Sequence, residues 1–312
     1  MSIEVIKGVN GFDKIDGGVV ATIGTFDGLH LGHQAILASL MKAQTKEHLV
    51  PMAITFEPHP RVLVTPESPP LLLTTWEEKV KLFSQYMSGK LVVIEFNRGI
   101  MNMSADEFTH SFLIDKLHLK ELIVGYDHAF GKNRSGTIND LMVLSGKYSF
   151  NLEIVDPVII DGKPISSSRI RRLLAENNLP RAIQMLGHPY PVTGIVKRGI
   201  GLGKKIGFPT ANLEVSSRKL LPRQGVYSCS LEMDGTLYDG MMFVGINHFN
   251  PVAGVSVEVN IFDFDKELYG QEIICYPEIF LRDNMIFDNQ EKLAGQIETD
   301  KANVMKLRNR GV

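Results

Sequence analysis

The stretch that decides the fold of the first half of the chain is VVATIGTFDGLHLGH, Val19 to His33. Val19–Ile23 is a short apolar, β-branched run ending at Gly24, which reads as a buried strand. Beyond His30, the residues Ile36, Leu37, Leu40 and Met41 recur at three- and four-residue spacing, which predicts an amphipathic helix. A strand therefore feeds a turn that opens a helix, and His30 and His33 fall on that helix's first turn. Residues three apart share a helix face, and the free backbone N–H groups of the same turn point the same way. Two imidazoles beside a positive dipole end make a natural anion site, best suited to a phosphate. A zinc site would need further ligands recruited from outside the turn, with His59 or Asp27 as candidates.

Outward from this turn, strand and helix alternate. Pro51–Phe56 reads as a strand, followed by the Pro-rich stretch EPHPRVLVTPESPP, a long functional loop candidate. Thr74–Tyr86 has helical spacing and Leu91–Phe96 is a strand. Ser104 with Glu107 forms a capping box opening a helix through about Leu117. Leu122–Gly125 is another buried strand, Thr137 and Asp140 open another helix, Leu152–Val158 is a strand, and SSSRIRRLLAEN begins one more helix. This alternation predicts a parallel, doubly wound sheet with ligands at the C-terminal ends of its strands.

The pattern changes near Gly187, within LGHPYPVTG. Pro191–Val196, Val226–Leu231, Leu237–Val244, Val255–Phe262 and Glu272–Ile279 are short runs separated by turn residues, including Asp234-Gly235. They predict an antiparallel barrel or sandwich. A helix from about Asp288, with Glu291 completing a capping box and Leu293 and Ile297 on one face, closes the chain. The predicted domains are 1–186 and 187–312.

At 312 residues the chain is long enough for two such domains, and 44% hydrophobic with 22% charged residues is a globular composition. A formal net charge of −2 offers no general basic surface for a polynucleotide, so small anionic ligands fit better. Cys229 and Cys275, the only cysteines, lack CxxC spacing, and no apolar run is long enough to span a bilayer. A cytoplasmic protein without nucleic-acid or membrane partners is expected, as a monomer or weak homo-oligomer.

Two further segments belong beside the histidine turn. Gly125-Tyr126-Asp127-His128-Ala129-Phe130-Gly131-Lys132-Asn133-Arg134-Ser135-Gly136 directly follows a strand, at the same sheet edge. Ser166-Ser167-Ser168-Arg169-Ile170-Arg171-Arg172 is a helix start combining hydroxyls, free N–H groups and fixed positive charge. Three such segments at strand-to-helix junctions predict a polyphosphate site.

Taken in order, GTFDGLHLGHQ, TFEPHP, LTTWEEK, GYDHAFGKNRSG and ISSSRIR resemble the adenylyltransferase module of the prokaryotic bifunctional riboflavin kinase/FAD synthetase family, one of the HxGH nucleotidyltransferases. The resemblance implies a Rossmann-like first domain that transfers AMP from ATP to FMN, with Mg²⁺, giving FAD and pyrophosphate. It implies catalytic roles for His30, His33 and Arg171. On the ATP side it implies Gly24, Phe26, Asp27, Gly28, Asp127, Asn133, Ser166, Ser167 and Ser168. On the flavin side it implies Phe56, Pro58, His59, His128 and Phe130, with His128 standing where the family usually has Phe.

GIVKRGIGLGKKIGFPTANL resembles the ATP-binding loop and PTAN motif of the family's kinase module, implying a small antiparallel β-barrel. Thr210 and Asn212 then fall where Mg²⁺ and phosphate bind, and Glu258 where the catalytic base stands. Three departures occur. VGINHFNPVAGVSVEV lacks the usual Pro-Thr pair, Asn260 replaces a usual His two residues after Glu258, and Lys204 stands where Arg is common. They lead to the expectation of an FAD synthetase whose kinase-like domain has weak or no activity. A fully bifunctional enzyme is the alternative, and a flavin- or nucleotide-binding regulator is the alternative of another class.

Overall fold

In the computed structural model, which describes residues 2–8, 17–132, 135–199, 201–246 and 254–309, the chain divides into two units. The first comprises Met1–Leu71 with Lys79–Ser167, and the second Leu72–Glu78 with Ser168–Val312.

The first unit is built on six strands: β1 (Ile3–Lys7), β2 (Val19–Ile23), β3 (Val50–Glu57), β4 (Gly89–Glu95), β5 (Leu119–Gly125) and β6 (Asn151–Val155). All five pairings are parallel, in the order β1-β4-β3-β2-β5-β6. The chain runs outward from β2 through β3 to β4, then restarts on the other side of β2 with β5. The strand order thus reverses between β2 and β5, and their following loops diverge to leave a crevice at the strands' C-terminal ends. One of those loops is the histidine turn and the other begins GYDHAFG. Val19, Ala21 and Ile23 of β2 pack in one core with Met52, Ile54, Val92, Leu122 and Val124, covered by Phe108, Leu113 and Leu141. β1 lies outside the sequence expectation because IEVIK is a partly exposed edge strand without a clean alternation.

Both expected helix starts are present, with reciprocal capping by Ser104 and Glu107 and by Thr137 and Asp140. The first helix passes into a π-helical segment, Thr109–Ile114. The Pro-rich stretch after β3 is not loop throughout, since Arg61–Val64 makes one helical turn. The His59 Nδ1 accepts from the Arg61 N–H at 3.2 Å at its start.

A short hairpin of β7 (Ile159–Ile160) and β8 (Lys163–Pro164) ends the first unit. The second unit is a closed antiparallel barrel of β9 (Val192–Lys197), β10 (Ala211–Val215), β11 (Gly225–Met233), β12 (Thr236–Ile246), β13 (Val255–Ile261) and β14 (Glu272–Arg282), ordered β10-β13-β12-β11-β14-β9. Asp234 and Gly235, with φ +47° and +76°, make the two-residue turn between β11 and β12. The closing helix is Gln290–Asn309. The expected capping by Asp288 and Glu291 is displaced by one residue: the Asn289 side chain accepts from the Lys292 N–H at 2.9 Å, while Asp288 pairs with the Lys292 ammonium. Val304 seals this helix against Met241 and Phe262.

A buried charge cluster also belongs to the second unit. The Glu78 carboxylate accepts from Lys219 Nζ at 2.7 Å and from the N–H groups of Thr75 and Thr193, each at 2.9 Å. Lys219 also donates to the Leu73 carbonyl at 2.6 Å and sits 4.2 Å from the centre of the Tyr190 ring.

Candidate active site

After β2 the chain turns through three left-handed residues, Phe26 (φ +48°), Gly28 (+82°) and Leu29 (+37°). The Phe26 ring is buried edge-on against both Phe83 and His33, with centroids 5.3 Å apart in each case. It leaves so little room at Gly24 that a Cβ there would lie 3.1 Å from the ring. The Thr25 carbonyl is held by Lys79 Nζ at 2.9 Å and Thr55 Oγ1 at 3.4 Å, and the Asp27 carbonyl by Ser167 Oγ at 2.9 Å. Two non-glycine residues in the left-handed region cost conformational energy, and these bonds hold the turn against it.

This turn delivers His30 as the N-cap of the helix Leu31–Glu47. Its Nδ1 accepts from the His33 N–H at 3.4 Å, so in the neutral ring the proton sits on Nε2. The two imidazoles stack, with centroids 3.6 Å apart and planes 15° from parallel. The shielded His33 Nδ1 has no hydrogen-bond partner among the described residues. Burial, followed by the neighbouring His30 and Lys79 charges, pushes the His33 pKa well below its ordinary value. Burial likewise lowers the Lys79 pKa, against the pull of Asp27 and Glu57. The turn therefore combines the His30 ring, a His33 ring that its surroundings keep neutral, and free helix N–H groups, with a buried ammonium close by, and can hold an anion through hydrogen bonds.

Gly24, Phe26, Asp27, Gly28, His30, His33 and Ser167 thus belong to one constellation. Asp127 is exposed just beyond β5, in a turn closed by the His128 N–H on the Gly125 carbonyl at 3.0 Å. Of the expected flavin-side residues, Phe56, next to last in β3, packs against Phe96, 5.6 Å between centroids. Pro58 follows a cis peptide, and His59 is buried. Phe130 is a core residue packed on Phe108 at 5.8 Å, with the His128 ring 5.7 Å away on its other contact. Ser166 falls in the first unit, while Ser168 and Arg171 lie in the second, on the helix Ser167–Ala175. Asn133 lies outside the described residues. Lys79 was not among the expected site residues; its signal was the EEK of LTTWEEK, one of the stretches that carry the resemblance.

The barrel carries a second constellation, around a cavity of 670 Å³ lined in part by Gly203, Thr210, Asn212, Glu258, Asn260 and Tyr269. Asn212 and Glu258 are register partners of β10 and β13. The Thr210 hydroxyl donates to Glu258 Oε2 and the Ser256 hydroxyl to Oε1, both at 3.4 Å. Gly203 packs so closely that a Cβ would collide with the Phe208 carbonyl and meet Thr210, which closes the glycine-rich loop over PTAN. β10 itself escaped the sequence reading because Ala211–Val215 is a short strand following a proline and lacks a continuous apolar run. Lys204 is exposed at the cavity rim, and residues 247–253, within the stretch where the Pro-Thr pair is absent, lie outside the described residues.

Both constellations lie within regions matched by family models. The FAD synthetase model matches residues 12–169 and the riboflavin kinase model residues 186–308. A bifunctional riboflavin kinase/FMN adenylyltransferase of Buchnera aphidicola (from Acyrthosiphon pisum) is 34% identical over 312 residues, covering 98% of this chain and 99% of the relative. Proteins of the same name from Listeria monocytogenes and Escherichia coli K12 are 34% and 32% identical, over 90% and 96% of both chains. A solved structure of a Streptococcus pneumoniae protein named for macrolide efflux superposes with a TM-score of 0.86 at 30% identity, over 97% of this chain and 98% of that one. The likeness carries the fold, whereas the efflux name is shared by none of the three relatives above. Among the described residues no helix is long and apolar enough to cross a membrane. With two family models in tandem and relatives matched from end to end, the chain belongs to the bifunctional riboflavin kinase/FMN adenylyltransferase family.

Proposed function

We propose that the chain makes FAD by transferring AMP from ATP to FMN, and that it also phosphorylates riboflavin to FMN. The observation that carries the first activity is the stacked His30–His33 pair, its donors gathered at a helix N-terminus on the sheet's reversal point. An FMN phosphate oxygen attacks the α-phosphorus of ATP, the bond to the bridging oxygen breaks, and pyrophosphate leaves. No protein nucleophile is needed, so catalysis consists of positioning and charge stabilisation. His30 Nε2–H and the His33 ring, with the helix N–H groups, donate to the polyphosphate as negative charge builds on the leaving oxygens. Arg171, Asp127, Asn133 and Ser166–Ser168 complete the nucleotide side in this reading, and Phe56, Pro58, His59, His128 and Phe130 the flavin side. The two modules correspond to residues 1–186 and 187–312.

In the barrel, Glu258 takes the proton of the ribityl 5′-hydroxyl as its oxygen attacks the γ-phosphorus of ATP, and ADP leaves. Thr210, one residue ahead of β10, and Asn212, on it, both line the cavity, so that both can face the same phosphate. Their oxygens suit Mg²⁺, which prefers oxygen ligands and is commonly held largely by substrate phosphates. When bound, that ion neutralises phosphate charge. The expectation of a weak or lost kinase finds no support: the Thr210–Glu258 contact is intact, and the relatives carry both activities in their names.

ATP, Mg²⁺ and either riboflavin or FMN, with products separated by chromatography, test the reading directly. FAD from both substrates is the expected result. FAD from FMN alone would remove the kinase, and no FAD from FMN would remove the adenylyltransferase and leave a flavin-binding regulator. A cytoplasmic location and a monomeric or weakly self-associating state complete the proposal.

A further inference from the structure

Asn260 follows Glu258 by two residues on β13, so their side chains leave the same face of the strand. Val257 and Val259, at 3% and 0% exposure, occupy the opposite face in the barrel core. The Asn260 Nδ2 donates to the Pro209 carbonyl at 2.7 Å. Because a carbonyl can only accept, this bond fixes which end of the amide faces the PTAN segment. Pro209 immediately precedes Thr210, whose hydroxyl reaches Glu258 Oε2. A closed circuit results, running from Glu258 along the strand to Asn260, across to Pro209, on to Thr210 and back to Glu258. The regular β10–β13 pairing begins at Ala211, opposite Val259. Pro209 and Thr210 therefore lie ahead of the ladder, and the Asn260 amide ties them to β13 where strand pairing does not.

We infer that Asn260 is a positioning residue for the barrel's phosphoryl-transfer centre, setting the Thr210 hydroxyl against the Glu258 carboxylate through the Pro209 carbonyl. The inference rests on the kinase reading of the barrel. It assigns no contact with the reacting atoms to Asn260, which acts through the segment it holds. Pro209 is exposed, so water can replace the lost donor, and loss of the bond is read in turnover before it is read in folding. Misplacing a reacting group by about 1 Å costs on the order of 100-fold in rate.

The test compares steady-state riboflavin phosphorylation by the full chain, N260L and N260H, with FAD formation from FMN and thermal melting as folding controls. N260L, of similar size but without a donor, is expected to lose roughly 10- to 100-fold in kcat, with KM for riboflavin nearly unchanged and FAD formation intact. N260H restores a ring N–H donor and is expected to recover most of the loss. Should N260L fail to fold, N260A, which lacks the donor and adds no charge beside Glu258, carries the same comparison. An unchanged kcat in the donor-free variant overturns the inference, as does an N260H as slow as N260L. A wild-type chain that makes no FMN from riboflavin overturns the kinase reading and this inference together, a result seen before any variant is measured.

Discussion

The imidazoles of His30 and His33 lie face to face, centroids 3.6 Å apart, with the N-cap bond from the His33 N–H to His30 Nδ1 holding one ring over the other. Two imidazolium rings so placed would repel, and the nearby Lys79 ammonium adds to the cost. The free site therefore favours a neutral His33 ring, and a bound polyphosphate is the counter-charge that makes its protonation favourable. Ring donors and free helix N–H groups then converge on one anion.

His33→Ala is expected to reduce FAD formation from FMN roughly 100- to 1,000-fold, the usual effect of removing one donor to developing negative charge. Its far-ultraviolet dichroism should match wild type, since the N-cap bond uses the backbone N–H of residue 33 and not the lost ring. Riboflavin phosphorylation by the same preparation, measured as FMN released, should be unchanged. A comparable loss of both activities would point to misfolding instead of a lost donor.

Glu258→Gln makes the opposite separation. The amide keeps the size of the carboxylate, and one of its ends can still accept from Thr210 or Ser256, but it cannot take a proton from the substrate hydroxyl. Loss of a general base costs about 100- to 10,000-fold. Riboflavin phosphorylation should fall by that order while FMN is still converted to FAD at the wild-type rate. Retained kinase turnover in Glu258→Gln would mean that the proton leaves by another route.

Glu78 and Lys219 are 1% and 0% exposed at their side chains and 2.7 Å apart, so removing the carboxylate strands an ammonium among Leu73, Tyr190 and two backbone N–H groups. Breaking a buried pair from one side costs about 3–5 kcal/mol. For a unit of this size each kcal/mol shifts Tm by about 2–4 °C. Glu78→Leu should therefore lower the Tm by roughly 6–20 °C, and the double variant Glu78→Leu/Lys219→Met should recover part of it. Calorimetry decides, and a single variant melting with wild type would show that the ammonium had found water or another partner.

How far the sequence carried these conclusions depended on how local each signal was. The histidine turn was legible because strand, turn and helix lie within 23 consecutive residues, Val19 to Met41, and each has its own period. The capping boxes at Ser104 and Thr137 were legible for the same reason, being contacts between residues three apart. β10 was not, because only its pairing with β9 and β13 makes Ala211–Val215 a strand. Lys79 was not, because its partner Thr25 is 54 residues away. Asn260 read as a departure from the family pattern and proved to be a donor, since the Pro209 carbonyl it holds comes from another strand's approach. The closing helix shows the limit of local rules: Asp288 and Asn289 are both good caps, and the spacing of Asp288 from Glu291 favoured the wrong one.

Acid stability provides a test of the His33 environment that needs no substrate. In the unfolded chain its imidazole ionises near the ordinary value of 6.5, whereas in the fold, burial and its charged neighbours keep the ring neutral to well below that value. Above pH 6.5 neither state binds the proton, and His33 contributes no pH dependence. As the pH falls below 6.5 the unfolded chain takes up a proton that the folded one refuses, so stability declines until the folded pKa is reached. His33→Gln removes the titrating group from both states. Urea midpoints followed from pH 7.5 to pH 5 should fall less steeply for the variant than for wild type, with the two curves parallel above pH 7. Saturating pyrophosphate should flatten the wild-type curve, because an anion against the two rings raises the folded pKa toward the unfolded one. Identical acid slopes for variant and wild type without ligand would mean that the His33 ring is open to water in solution, and the neutral-donor account of the site would fall with it.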